Sequence, residues 1–465
     1  MTVEAGAPML HDSTLIFDVS TIMKGDTARP TGIHRVVLET ALAMIELTGG
    51  AVVFTRYDRQ LGSYRKVDGE AVRSRISALL AVAQPSSGGS RAARKRSARV
   101  RGVARWLLVR SGRVAPETSK HVGATLGYVR RALWAMRSAF TAIGPDLERR
   151  RTRRSGSCHS SEWSAATTYC SLGLDFSFND LDYLLDRKRA EGFQVAMAVY
   201  DLIPVVVPHF STRDLTDYFA QLLRVSDTVL VISTQTKVDL VEFATRLQLP
   251  LPRVEVIPLS SSLIATTPSR PPSLPAEVDD VGFVVFVSTI TARKNHQLLL
   301  DVWSRLLRDG RLATIPYLVF GGGRGSLSDE TMSRIHHDPE LAQRVVHLEG
   351  LADPEIAWLY RECAFTLYPS FYEGWGLPVT ESLDFGKVCL ASDRTSLPEA
   401  GEGLAIHLDP TDRDLWTENV IDLWTDVESR HRREDEIRQQ HHRRDAIATT
   451  SHLLRAIGIE SRSLG

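Results

Sequence analysis

Short apolar runs alternating with helical stripes constrain this chain more than any other feature. Thr14-Leu-Ile-Phe-Asp-Val-Ser20 is strand-like, rich in β-branched and aromatic residues. Ile33, Val36, Val37, Ala41, Met44 and Ile45 then recur at helical spacing, and Ala51-Val-Val-Phe-Thr55 follows as a second strand. This strand-helix-strand order implies parallel pairing. The pattern resumes at 193–203, 228–233 and 254–258, and breaks at 265–278, a Pro/Ser-rich stretch that reads as an interdomain linker. A second series follows, with strands expected at 282–288, 317–320, 344–348, 364–368 and 388–392. The expected fold class is α/β, two doubly wound Rossmann-like domains facing one another across a cleft. We expect the first domain over 1–270, the second over 271–440, and within 441–465 a C-terminal helix returning to the first.

Composition narrows the class further. With 43% apolar and 24% charged residues, a disordered or fibrous chain is excluded. Lys+Arg and Asp+Glu both total 56, so the chain as a whole makes no electrostatic case for nucleic acid. Residues 91–154, however, hold 18 Lys/Arg against three acids (Glu117, Asp146 and Glu148), a surplus of 15 that the rest of the chain balances. They lie in a basic insert of about 85–160, with outer edges near 85 and 165 that read as flexible. Within it Leu126, Val129, Leu133, Met136, Phe140 and Ile143 form one stripe of an amphipathic helix. That stripe, the arginines around it and Trp106, Tyr128 and Trp134 predict docking on an anionic membrane surface; a helical pair packed on the first domain is the alternative. No apolar run reaches the length of a membrane span, and no secretory signal is visible. Cys158, Cys170, Cys363 and Cys389 are scattered, as reduced thiols of a cytosolic protein would be.

Ligands of open α/β sheets bind beyond the C-terminal strand ends, so the loops there carry the search. After strand 364–368 comes Pro369-Ser-Phe-Tyr-Glu373-Gly374-Trp375-Gly376-Leu377-Pro378-Val-Thr-Glu381. Gly374 and Gly376 let a backbone approach a ligand, and Pro378 suits the first turn of a helix whose free N–H groups favour an anion. Glu373 and Glu381 can face one pocket, and a carboxylate accepts two hydrogen bonds from a vicinal diol such as ribose or a hexose. The loop after 282–288 holds Arg293-Lys294, cations able to neutralise a departing diphosphate. Gly321-Gly-Gly-Arg-Gly325 lies in reach of base or phosphates; it lacks the third glycine of a dinucleotide fingerprint. His209 and His336-His337 have no ligand spacing and read as surface residues.

The Glu373–Glu381 segment resembles the Glu-x(7)-Glu signature of glycosyltransferase family 4, the retaining, mannosyltransferase-like group 1 glycosyltransferases of the GT-B fold. Arg293-Lys294-Asn295-His296 and Ser396-Leu-Pro-Glu399 are similar to two further donor-domain motifs of that family. Asp18-Val-Ser, Thr31-Gly-Ile-His-Arg-Val-Val and Tyr200-Asp-Leu-Ile-Pro resemble its first-domain motifs. The resemblance covers most of 14–60 and 195–425, but not the insert. It implies Glu373, Lys294 and Arg293 as catalytic residues. It also implies donor contacts from Glu381, Gly374, Trp375, Gly376, Leu377, Gly32, Ser288 and Gly322. Tyr200 stands where the family often has histidine, and Ser288 where glycine is usual.

The expected function is transfer of a sugar, with retention, from a GDP- or UDP-linked donor (mannose among the candidates) to a glycan or lipid-linked acceptor in bacterial surface polysaccharide assembly. Neither a cofactor nor a metal is expected, since Lys294, Arg293 and a helix N-terminus can stabilise the leaving group. The expected location is the cytoplasm, peripheral on the inner membrane face. The alternatives are a GT-B sugar-nucleotide epimerase or phosphorylase, and a catalytically silent nucleotide-sugar-binding subunit.

Overall fold

Phe283-Val-Val-Phe-Val287 has no polar alternation because both faces of the strand it forms are covered, as parallel sheets require. In the computed structural model this strand, β8, is central to the second of two sheets. The structure describes residues 14–23, 32–49, 51–83, 163–173, 176, 179–260, 263, 269–325 and 328–459. The basic stretch 91–154 and the membrane docking expected of it lie outside these residues.

The first sheet contains β1 (Thr14–Asp18), β2 (Val53–Asp58), β3 (Ser63–Val67), β4 (Thr167–Ser171), β5 (Gln194–Val199), β6 (Thr228–Val231) and β7 (Arg253–Val256). Their order is β3-β2-β1-β4-β5-β6-β7, parallel throughout except for the antiparallel edge pair β2–β3. The second sheet adds β9 (Tyr317–Gly321), β10 (Val345–Leu348), β11 (Thr366–Tyr368), β12 (Cys389–Ser392) and β13 (Ile406–Leu408) to β8, in the wholly parallel order β10-β9-β8-β11-β12-β13. In both sheets the order reverses beside the first strand of the series, the switch point where a crevice opens. Both sheets belong to one compact unit.

Three strands escape the sequence pattern. Ser63–Val67 is a half-exposed edge with Arg65 and Lys66 outward, Thr167–Ser171 reads as polar although fully buried, and Ile406–Leu408 has only three residues. The edges of the insert and linker also move. Trp163, inside the expected insert boundary, is buried 4.7 Å from the Phe193 ring in the first core. The 265–278 linker is anchored to the second domain at two points: the Arg270 N–H donates to the Pro354 carbonyl at 2.9 Å, and Val278 is buried in that domain's core.

The chain crosses between the sheets twice. After helix Val427–Gln440, the helix Ala446–Ala456 lies against Gly32–Leu47 and buries Leu453 and Leu454 in the first core. At that second crossing His441 sits between Asp384 and Glu402, 3.0 Å from each. Burial disfavours its charge, but the two carboxylates outweigh that and raise its pKa to about 9. No helix among the described residues is long and apolar enough to cross a membrane. Cys170, Cys363 and Cys389 are buried.

Candidate active site

The loops after β8 and β11 are fastened together before any ligand enters. Following β8, the chain makes a tight turn at Ala292–Lys294 and places Asn295 in the left-handed region before helix His296–Asp309 begins. The Asn295 amide then donates to the carbonyls of Pro369 at 3.2 Å and Pro410 at 2.9 Å, while the Phe371 N–H donates to the Arg293 carbonyl. From the other side, Thr395 accepts the Glu373 N–H at 3.0 Å, and the Ser396 hydroxyl donates to the carbonyls of Glu373 and Trp375. The segment Glu373–Trp375 is thus held at both edges.

This clamp brings Glu373, Lys294 and Arg293 into one buried cluster. Lys294 Nζ lies 2.5 Å from Glu373 Oε1 and 2.5 Å from the Tyr368 hydroxyl, and Arg293 Nη1 lies 2.8 Å from Glu373 Oε2. Burial works against the charge on Glu373, but Lys294 and Arg293 outweigh it and hold the carboxyl at about 2. Burial lowers the Lys294 pKa by more than Glu373 restores. The cluster sets two cations against the Glu373 carboxylate, with Asp201 close enough for its charge to act on them. Glu373 is therefore anchored as a counter-ion to both cations, an engagement that its place on a loop did not predict.

Glu381 sits in the opposite environment, one turn inside helix Leu377–Asp384. It accepts a hydrogen bond from the Tyr360 hydroxyl at 2.9 Å, and burial raises its pKa to about 7. Both glutamates line a cavity of about 700 Å³ between the two domains. The same walls carry Gly374, Trp375, Gly376, Leu377, Ser288, Gly322, Arg293 and Lys294 from the second domain and Gly32 from the first, so every site residue expected from sequence borders one space. Two helix N-termini, at Gly32 and Leu377, open onto it; a Cβ on Gly32 would lie 3.5 Å from Leu377 Cδ1.

The structure corrects the reasons for two glycines. A Cβ on Gly374 would stand 2.1 Å from the Tyr200 carbonyl oxygen, so this glycine admits the first domain's backbone rather than a ligand's. Around it the Thr236 hydroxyl bridges the Gly374 and Tyr200 carbonyls at 3.3 and 3.4 Å, and the Tyr372 hydroxyl donates to Asp239 at 2.5 Å. A Cβ on Gly322 would stand 2.1 Å from the Ser288 carbonyl oxygen, so Gly322 lets the loops after β8 and β9 pack together. Ser288 fits there because its hydroxyl turns to the neighbouring Thr289 carbonyl at 3.1 Å.

Other wall residues carried no individual signal. Tyr368 reads as an ordinary strand aromatic. Arg35, paired with Asp353 across the cleft, lies within a helical stretch, and Asp201 was visible only as part of a motif. His209, His336 and His337 are exposed, and no group of three metal-ligating side chains occurs among the described residues.

Two facing Rossmann-like domains, a charged cavity between them and a C-terminal helix that crosses back define a protein of the GT-B fold. Anabaena Alr3699/HepE, solved in complex with UDP, has the same fold: TM-score 0.54 and 13% identity over 96% of this chain and 100% of that one. Residues 275–440, most of the second domain, match the family model of glycosyl transferases group 1. O-antigen chain mannosyltransferase B of Escherichia coli is 26% identical over 238 residues, 49% of this chain and 62% of that protein. The serotype-specific mannosyltransferase WbdA of Escherichia coli is 25% identical over 219 residues, 44% of this chain. The chain spans less than two thirds of either relative, only 26% in the case of WbdA.

Proposed function

We propose that this chain is a retaining glycosyltransferase that moves a hexose from a nucleotide diphosphate sugar to a hydroxyl of a glycan acceptor in surface polysaccharide assembly. One observation carries the reading: the Arg293–Lys294–Glu373 cluster and the N-terminus of helix Leu377–Asp384 converge on a cavity that also holds Glu381. Glu381 accepts hydrogen bonds from the ribose diol. Lys294 and Arg293 take the diphosphate, and Glu373 keeps both cations aimed while contacting the sugar. Kinship with O-antigen mannosyltransferases favours GDP-mannose as the donor.

In transfer, the bond between the anomeric carbon and the phosphate oxygen breaks, and a bond to the acceptor oxygen forms on the same face. The acceptor proton passes to the departing phosphate oxygen. Negative charge grows on that phosphate, where Lys294, Arg293 and the helix end stabilise it more in the transition state than before it. These groups supply the positive charge that a divalent cation would otherwise bring. Incubation with GDP-mannose or UDP-glucose and a methyl glycoside, read by anomeric NMR signals, should give a product of unchanged configuration. An inverted product would contradict retention, and a chain that binds donor without turnover would be a silent subunit.

The basic stretch 91–154 supports a cytoplasmic enzyme docked on an anionic membrane, each basic residue near the surface adding on the order of 1 kcal/mol. Sedimentation with anionic liposomes should weaken as salt rises and disappear when 91–154 is deleted. Undiminished binding after that deletion would contradict the docking role.

A further inference from the structure

The donor cavity continues past Tyr200. A second cavity of about 240 Å³ adjoins it, and the two share Ile33, Tyr200 and Asp201. Among the residues the two cavities share, Asp201 carries a carboxylate. The Tyr200 hydroxyl is committed to the Leu172 carbonyl at 2.7 Å. One oxygen of Asp201 accepts the Ile203 N–H at 3.0 Å; the other makes no hydrogen bond among the described residues, although Arg293, Lys294 and Glu373 are near enough to act on its charge.

The far wall of the smaller cavity is aromatic. Phe176 and Tyr218 meet edge to face with centroids 5.6 Å apart, and the Arg213 guanidinium stands 5.7 Å above the Phe176 ring. Phe176 is 36% exposed, so its ring is open to a molecule in this cavity. An aromatic wall with a carboxylate at one margin and a guanidinium at the other suits a pyranose. Its C–H face covers the rings while its hydroxyls bond to the charged groups.

We propose that this second cavity binds the terminal pyranose of the acceptor and that Asp201 accepts a hydrogen bond from the ring hydroxyl next to the attacking one. The proposal rests on the transferase reading and deepens it. Held by that neighbouring hydroxyl, the pyranose turns its attacking oxygen toward the anomeric carbon with the attacking proton free to face the phosphate. The proton still leaves to the phosphate, and Asp201 is unchanged at the end.

NMR titration of the full chain with methyl α-mannoside, methyl α-glucoside and methyl α-galactoside, each with GDP or UDP present, tests this. At least one glycoside should bind. Asp201→Asn, which preserves the bond to Ile203, should weaken it about five- to tenfold, as when a charge-assisted hydrogen bond becomes a neutral one. Phe176→Ala, which removes the ring the pyranose would cover, should weaken it similarly. Nucleotide affinity should stay unchanged in Phe176→Ala, because Phe176 lines the second cavity and not the donor cavity. The proposal is overturned if no glycoside binds, or if binding is indifferent to both substitutions. Failure of GDP and UDP to bind would instead refute the transferase reading.

Discussion

Glu373 and Glu381 lie eight residues apart, are both buried and border the same cavity, yet one is held at about 2 and the other raised to about 7. The difference comes from their partners. Glu373 meets two cations at 2.5 and 2.8 Å, which outweigh desolvation; Glu381 meets one neutral hydroxyl, which does not. A shared Glu-x(7)-Glu spacing therefore contains two chemically different carboxylates. One is a fixed anion that organises cations, and the other is a poised group able to accept bonds from a diol.

Glu373→Gln should break the contrast most severely. Removing one partner of a buried ion pair leaves charge uncompensated at a cost of about 3–5 kcal/mol, here on both Arg293 and Lys294. A fall in Tm of many degrees is expected in chemical or thermal unfolding, and a variant as stable as the parent would mean the cluster is solvated. Lys294→Ala should act on turnover instead, lowering kcat on the order of 10²–10³-fold while nucleotide affinity changes less. Equal losses in both would mean Lys294 contributes only uniform binding.

Glu381→Gln should be milder and opposite in kind, weakening nucleotide binding by about 1.5–3 kcal/mol with the fold intact. The pH dependences of the two residues also diverge. Glu373, lowered from 4.5, contributes stability that is present above that value and lost as pH falls toward about 2. Glu381, raised from 4.5, contributes stability below that value and loses it as pH rises through about 7. The smallest effect is therefore on Tm: Glu381→Gln should gain on the parent as pH climbs from about 5 to 8. A pH-independent difference would mean that Glu381 titrates normally.

Much of this was legible in the sequence, for reasons that differ by element. Phe283–Val287 and Tyr317–Gly321 announce buried parallel strands because nothing in them faces water. The Arg-Lys pair and the two glutamates are legible because loops after such strands face the cleft. Ser63–Val67 was not, since an antiparallel edge carries Arg65 and Lys66 outward like any loop. Thr167–Ser171 was hidden by its hydroxyls, which read as solvent-facing although the strand is buried throughout. Gly374 was found for an incomplete reason, because the backbone it admits belongs to Tyr200, 174 positions earlier. Asp201 and Arg35 acquire a role only when a distant segment folds over them, and no local pattern marks that.

The central claim is that this cavity receives a nucleotide diphosphate sugar, and calorimetric titration of the full chain with GDP and UDP tests it most directly. The account predicts that one of them binds at one site per chain, with affinity reduced about tenfold or more in Glu381→Gln. A folded protein that binds neither, or one whose affinity ignores that substitution, would contradict it.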